Sequence, residues 1–201
     1  RNFYYLTGYD KPKAVYMGYK IGGLYHDVLF IERPDERREL YEGKMDTPDG
    51  LKESLGLKDV RYLDRMPNFV SGLFCRNDFR YLYIDTNCWD SYDSFEDDTE
   101  RFVSHMLKKY PYLSVRNTFS DIADLRTIKG KEEISAHREA CKVTEYGVKR
   151  MLHQIRPGIR ESEAEAYFDF ELKLHGCSHG FTTIAASGKN ACTLHYSENN
   201  S

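Results

Sequence analysis

Short runs rich in β-branched and aromatic residues alternate with stretches of helical character over the first 84 residues of the chain. Four of these runs predict β-strands, over 14–19, 28–31, 60–63 and 81–84. Between the second and third runs, Thr47 can cap a helix that has Pro48 in its first position and ends before Gly56. Strands that alternate with helices in this way predict an α/β layer.

The second half of the chain has the spacing of helices. From about 131 to 155, apolar or small side chains recur three and four positions apart, which predicts a helix with one face in a core. These positions are Ile134, Cys141, Thr144, Val148, Met151, Leu152 and Ile155. Pro157 and Gly158 end this helix, and another is predicted from about Glu161 to Gly176.

Acidic residues stand at the start of two predicted helices. The helix from Glu161 carries Glu163 and Glu165 in its first turns, and a helix over about 95–109 opens with the acidic cluster 96–98. Negative charge at a helix N-terminus complements the helix dipole. We therefore interpret these carboxylates as dipole-matched first turns, and the cluster as solvated charge that does not bind a metal.

Beyond Gly180 the sequence becomes strand-like again. Two β-like runs, 181–186 and 191–196, flank the turn signal 187–190, and this arrangement predicts a hairpin. His195 then lies on a strand beside Tyr196. A histidine in a strand is more often structural than functional, so this position alone does not identify a site.

The charge balance excludes several classes of partner. Lysine and arginine (29) nearly match aspartate and glutamate (32), and a net charge of −3 gives no strong field for nucleic acid or for an anionic membrane. No apolar run is long enough to cross a bilayer. Five cysteines in no regular spacing favour a reducing compartment, so we predict a cytoplasmic protein. The first residues contain neither an initiator methionine nor a signal peptide, and we expect the start to be trimmed.

Several common short catalytic signatures are missing from the sequence. It contains no Walker loop and no HExxH, and no GxGxxG follows a predicted strand. His175 and His179 are four apart, as helical metal ligands would be, but Gly176 lies between them where the helix should end. We interpret this pair as surface or pocket-lining histidines.

Four strings, in order along the chain, resemble the Xaa-Pro aminopeptidases and prolidases. Phe181 to Tyr196 (FTTIAASGKNACTLHY) is similar to the substrate-side hairpin of this metallopeptidase family, which has the pita-bread fold. The string 125–134 (LRTIKGKEEI) resembles the helix that opens its catalytic domain, and 156–161 (RPGIRE) resembles its Pro-Gly-x-x-Glu turn. The string 2–9 (NFYYLTGY) resembles a strand and turn of the creatinase-like N-terminal domain.

This resemblance implies a fold and a site. It implies a creatinase-like α/β domain over 1–120, followed over 121–201 by the first helices and hairpin of a pita-bread (α+β) catalytic domain. Phe181 would line the pocket for a proline ring, and His195 would act in catalysis by hydrogen-bonding the substrate or its developing oxyanion.

The resemblance also implies two divalent metal ions, with manganese as the expected metal. The family's five metal ligands follow the histidine hairpin, so we expect no metal ligand in this chain and no activity from the chain alone. The expected substrate is a peptide with proline in its second position, and the expected partner is another copy of the same chain.

Three interpretations remain open at this point. The first is an Xaa-Pro aminopeptidase, and the second is a prolidase that cleaves only Xaa-Pro dipeptides. The third is a metal-free protein that keeps the peptidase fold as a binding or oligomerisation module. Nothing in the 201 residues separates the first two, whereas the presence of both Phe181 and His195 favours an enzyme over the third.

Overall fold

The computed structural model describes residues 2–86 and 98–201 of the chain. It contains two compact units, residues 1–125 and 126–201. The division falls inside the helix Phe119–Thr127, which also contains the domain boundary predicted between 120 and 121. The assignment of these parts to separate domains stays a prediction.

The described residues of the first unit alternate between helices and strands. Its helices are α1 (Asn2–Thr7), α2 (Glu36–Glu42), α3 (Pro48–Leu55), α4 (Met66–Arg76), α5 (Asp98–Lys109) and α6 (Phe119–Thr127), the last of which reaches into the second unit. Its strands are β1 (Val15–Ile21), β2 (Leu24–Ile31), β3 (Val60–Tyr62), β4 (Tyr81–Ile84) and β5 (Ser114–Asn117). The predicted α/β class is therefore confirmed.

Strand β2 is the centre of a three-stranded sheet. It pairs antiparallel with β1 through a two-residue turn, in which Gly22 and Gly23 have φ of +57° and +84°, and it pairs parallel with β3. Positive φ at both turn positions matches the right-handed twist of a tight hairpin, and glycine adopts it without strain. All four side chains of 28–31 are buried, and since successive side chains of a strand point to opposite faces, both faces of the sheet are covered there, which explains the continuous apolar run.

Two clusters of buried side chains stabilise the first unit. One joins the central sheet to α3 and consists of Tyr9, Leu29, Ile31, Leu51 and Val60. The other lies between α4 and α5, beside a two-stranded parallel sheet of β4 and β5, and consists of Val70, Met106 and Leu113.

The strand predicted near the start of the chain is a helix in the structure. The Thr7 hydroxyl donates to the Phe3 carbonyl at 2.8 Å, and the Gly8 amide donates to the Tyr4 carbonyl at 2.7 Å. Gly8 has a φ of +70°, so it ends α1 in a left-handed conformation that favours glycine. These local hydrogen bonds outweigh the β propensity of the aromatic residues in this segment.

Several local expectations are confirmed and others were missed. Thr47 caps α3 by accepting from the Gly50 amide, and Gly56 ends the helix with a φ of +66°. The start predicted for α5 at about residue 95 lies outside the described residues.

Helices α2 and α4 and strand β5 were not predicted. For α2, the signal was Asp35, whose carboxylate accepts from the Arg37 and Arg38 amides.

The second unit consists of two packed helices and an irregular segment. Helices α7 (Lys131–Gln154) and α8 (Glu161–Leu174) match the predicted helix pair. The hairpin predicted over 181–196 does not form. The segment contains no paired strands and is irregular apart from a short 3₁₀ helix at Gly188–Cys192. An isolated two-stranded hairpin is only marginally stable. Here side chains of α8 and Asn199 satisfy backbone amides that a strand partner would otherwise bind. Nowhere in the described ranges is a helix long and apolar enough to cross a membrane.

Candidate functional site

A largely apolar groove of about 610 Å³ lies in the second unit. Its lining comes from one face of α7, one face of α8, the turn between the two helices and the segment 178–187. The volume is within the range of sites that bind small ligands or short peptides, about 300–1,000 Å³.

The floor of the groove comes from the apolar stripe of α7. Four of the seven predicted core positions line the groove: Thr144, Val148, Met151 and Ile155. Ile155 is 51% exposed, and the buried residues of α7 are instead Val143 and Gly147. The prediction that this stripe packs in a core is therefore wrong in the described structure. The reason is that α8 packs on the neighbouring face of the helix, where Gly147 contacts the Phe168 ring.

Phe181 lies at the wall of the groove. Its side chain is 82% exposed, and Ile184 further along the same wall is 49% exposed. Two large apolar side chains beside an open groove provide a surface that an apolar ligand can cover.

Three carboxylates on α8 hold the segment 179–201. Glu161, Glu165 and Asp169 are four residues apart and therefore lie on one face of the helix. Each bonds to a different part of the segment. We call these three residues the acidic stripe.

Glu161 is the most heavily bonded member of the acidic stripe. It is 5% exposed, and its Oε1 accepts from the Ser187 amide at 2.6 Å and from the Asn190 side chain at 3.1 Å. Its Oε2 accepts from the Tyr196 hydroxyl at 2.8 Å and from the Ser201 amide at 3.1 Å. A single buried carboxylate thus connects the start and the middle of the 3₁₀ helix, and the chain beyond it, to the start of α8.

These donors determine the charge state of Glu161. Burial acts to raise its pKa, but the hydrogen bonds from two backbone amides and two side chains outweigh burial and hold the pKa at about 2, below the usual 4.5. Glu161 is therefore ionised at neutral pH and accepts hydrogen bonds without needing a cationic partner.

The other two members of the acidic stripe bind polar side chains. Glu165 accepts from the Asn199 side-chain amide at 3.0 Å. Asp169 contacts Nε2 of His179, whose ring stacks on Phe168 with centroids 5.7 Å apart. Nδ1 of His179 lies 3.4 Å from the Thr183 hydroxyl, so His179 connects α8 to the groove wall. The expectation that His179 lines a pocket is confirmed.

His195 lies outside the groove. It is exposed and is not among the groove-lining residues, whereas the next residue, Tyr196, is 9% exposed and bonded to Glu161. The structure therefore does not bring His195 and Phe181 together in one pocket. The buried neighbour fixes the backbone at His195 and leaves the imidazole free to contact a ligand.

The described residues do not form a metal site. In 2–86 and 98–201, no group of three or more histidine, cysteine, aspartate or glutamate side chains could hold a metal ion. His175 contacts Glu171 and stacks on Tyr146, so the 175/179 pair does not converge on one point. Glu161 already accepts hydrogen bonds on both oxygens and presents no open carboxylate.

Sequence analysis missed the acidic stripe because Glu161 and Glu165 look like dipole-matched charges at a helix start. The available signal was their spacing of four, together with the hydrogen-bonding side chains of Asn190, Tyr196 and Asn199 further along the chain. Of these contacts, those of Glu161 and Asn199 tie the groove wall to the helix.

Comparisons with known proteins agree with the fold. The family model of the aminopeptidase P N-terminal domain matches residues 1–83, and that of metallopeptidase family M24 matches residues 135–201. The chain is 26% identical over 206 residues to the Xaa-Pro aminopeptidase of Escherichia coli, covering 98% of this chain and 45% of that protein.

Solved structures give the same result. A structure assigned as an aminopeptidase P from Bacillus anthracis superposes with a TM-score of 0.92 and 37% identity, covering all of this chain and 48% of the other. A zinc-substituted aminopeptidase P from E. coli, solved with product, superposes with a TM-score of 0.83 and 25% identity, covering all of this chain and 46% of the other. The chain spans a little under half the length of these relatives. It belongs to the aminopeptidase P family of metallopeptidases.

Proposed function

We propose that this chain supplies the substrate groove of an Xaa-Pro aminopeptidase, which hydrolyses the bond between an N-terminal residue and a proline in second position. The observation that carries the proposal is the groove walled by Phe181 and Ile184, in a chain similar over almost its whole length to the E. coli Xaa-Pro aminopeptidase. The groove would receive the proline ring.

The chemistry of the groove suits proline. A proline residue has an apolar ring and no backbone N–H to donate, so a site for it needs apolar area more than hydrogen-bond acceptors. Val148, Met151 and Ile155 from α7 line the same groove as Phe181 and Ile184. The carboxylates of Glu161 and Glu165 at its edge are already occupied by donors from the chain itself.

The family is a metallopeptidase family, and bound divalent ions supply it with a hydroxide nucleophile at neutral pH. The described residues do not fit a metal centre, so no catalytic step is assigned to them. We propose that two ions, with manganese as the predicted metal, are held by residues of the peptidase other than those described. The 201-residue chain alone would then show no peptidase activity.

His195 is proposed to hydrogen-bond the substrate. Its imidazole is exposed, and the bond from Tyr196 to Glu161 holds the adjacent backbone in place. A neutral imidazole can donate to a carbonyl oxygen and strengthen that bond as negative charge develops on it.

An assay of the complete protein encoded by the gene tests this function. Purified protein with added manganese is given a tripeptide with proline in second position and the same tripeptide with alanine there. We expect cleavage of the first and loss of cleavage after chelation. A matched sample of the 201-residue chain is expected to be inactive, and chelator-sensitive turnover by it would overturn the assignment of the metal ligands to other residues.

The other interpretations predict different outcomes of the same assay. Cleavage of Xaa-Pro dipeptides but not of longer peptides would identify a prolidase. Binding of the proline peptide without cleavage at any metal concentration would identify a metal-free binding module. The cytoplasmic location and the association of copies stay predictions.

A further inference from the structure

Asn199 has a backbone conformation that few residue types tolerate. Its φ is +45°, in the left-handed region, and its side chain is buried at 5% exposure. Apart from glycine, asparagine and aspartate adopt this conformation with the least cost. A strained, buried polar residue next to a groove indicates that its side chain has a specific task.

The side-chain amide of Asn199 uses both of its polar atoms on the groove wall or its support. Oδ1 accepts from the Ala185 amide at 2.9 Å, and Nδ2 donates to the Thr183 carbonyl at 3.2 Å. Nδ2 also donates to Glu165 of α8 at 3.0 Å. One side chain thus forms two hydrogen bonds with alternate residues of the wall, as a neighbouring strand would, and attaches them to a helix.

The two residues that Asn199 binds flank Ile184, whose side chain lines the groove, and Phe181 lies two positions before Thr183. Asn199 itself follows His195 by four positions, in the stretch anchored by Tyr196. We propose that Asn199 is a positioning residue, which fixes the wall Thr183–Ala185 against α8 and thereby orients Phe181 and Ile184 along the groove. The consequence of this positioning for peptide binding rests on the proposed function.

Amide hydrogen exchange in the 201-residue chain, measured by NMR, tests the positioning role without any activity. Asn199→Gly keeps the left-handed backbone but removes the side-chain amide. We expect the Ala185 amide hydrogen to exchange at least about fivefold faster than in the wild type, which corresponds to the net loss of one hydrogen bond. The Ser187 amide, which Glu161 holds, is the internal control and should keep its rate. Unchanged protection at Ala185 would overturn the proposal.

A paired substitution distinguishes positioning from general stability. Asn199→Asp keeps the acceptor for Ala185 but turns a carboxylate toward Glu165, so the two charges repel. Adding Glu165→Gln supplies an amide that can donate to this carboxylate. We expect the Ala185 rate to rise in the single Asn199→Asp variant and to recover in part in the double variant, in which the Thr183 carbonyl still lacks its donor. Glu165→Gln alone keeps an acceptor for Asn199 and should change the rate by less than about twofold. No recovery in the double variant would contradict the contact that carries the proposal.

Kinetics of the complete protein then test the consequence for the substrate. With the wall displaced, Asn199→Gly should raise KM for a proline-containing tripeptide at least about fivefold and change kcat much less, since the residue acts on binding surface. If no variant, including the wild type, cleaves the peptide, the proposed function fails while the exchange result still decides the positioning role. A fall in kcat of about fivefold with an unchanged KM would contradict the expected effect of Asn199 on substrate binding.

Discussion

Gly147 on α7 lies so close to the Phe168 ring on α8 that a Cβ atom built on the glycine would be 2.6 Å from ring atom Cδ2. The close approach places α8, and with it the acidic stripe, at a fixed distance from the floor of the groove. The same ring stacks on His179, so Phe168 cannot move aside without disturbing the segment beyond α8.

Gly147→Ala should therefore destabilise the chain although alanine favours helices. Alanine gains up to about 1 kcal/mol in helix propensity over glycine, but overpacking of a tight contact costs about 1–3 kcal/mol. We expect a net loss of about 1 kcal/mol, measured by urea unfolding followed by circular dichroism.

Gly72→Ala in α4 is the matched control. There the new methyl would meet only the flexible end of Arg76, at 3.4 Å. We expect no change or a gain of up to about 1 kcal/mol. Equal effects of the two substitutions would show that the Phe168 contact does not limit the approach of the helices.

Glu161 makes the stability of the chain depend on acidity. Its folded pKa of about 2 lies below the usual 4.5, so its charge stabilises the folded state fully above about pH 5. This contribution is lost as the pH falls from 4.5 through 2, because the unfolded chain binds the proton first. We predict that Glu161→Gln destabilises the chain at pH 7, and that the difference from wild type shrinks between pH 5 and pH 2.

Glu163→Gln is the control for this prediction. Glu163 is exposed on the same helix, and its ion pair with Arg156 is 4.0 Å long. Unfolding midpoints for both variants at several pH values show whether the effect is specific. A pH-independent difference for Glu161→Gln would mean that the depressed pKa is absent.

Leu29 is the residue on which the core of the first unit depends most clearly. It is 0% exposed on the central strand β2 and belongs to the cluster with Tyr9 and Val60. Leu29→Ala should cost about 2–5 kcal/mol through lost burial and the cavity left behind. Leu24→Ala on the same strand, where the side chain is 68% exposed, should change stability by less than about 0.5 kcal/mol. Similar values for the two would contradict the placement of the core.

The strands and the long helices could be predicted because their signals are local. The continuous apolar run 28–31 marks a central strand, and the cap at Thr47 with glycine at 56 marks a helix, without reference to the rest of the chain. The helix at 2–7 was missed because the resemblance implied a strand there, whereas short-range hydrogen bonds decide the conformation.

The groove could be predicted only in part, because its geometry depends on contacts between distant residues. The resemblance assigned Phe181 to a pocket wall, but the spacing of α7 could not show that Val148 and Ile155 line a groove while Gly147 packs on α8. Likewise, the bonds of Glu161 join residues 26 to 40 positions apart in the sequence. Nothing in the local pattern around Glu161 distinguishes an acceptor in a network from a solvated charge.

Discrimination between proline and alanine by Phe181 tests the central claim most directly. Phe181 is 82% exposed, so Phe181→Ala should leave the unfolding free energy within about 0.5 kcal/mol of wild type. We predict that the complete protein prefers the proline tripeptide over its alanine counterpart, and that Phe181→Ala lowers the ratio of their kcat/KM values at least about tenfold. A variant that is stable and keeps the full preference for proline would contradict the claim that this groove receives the proline ring.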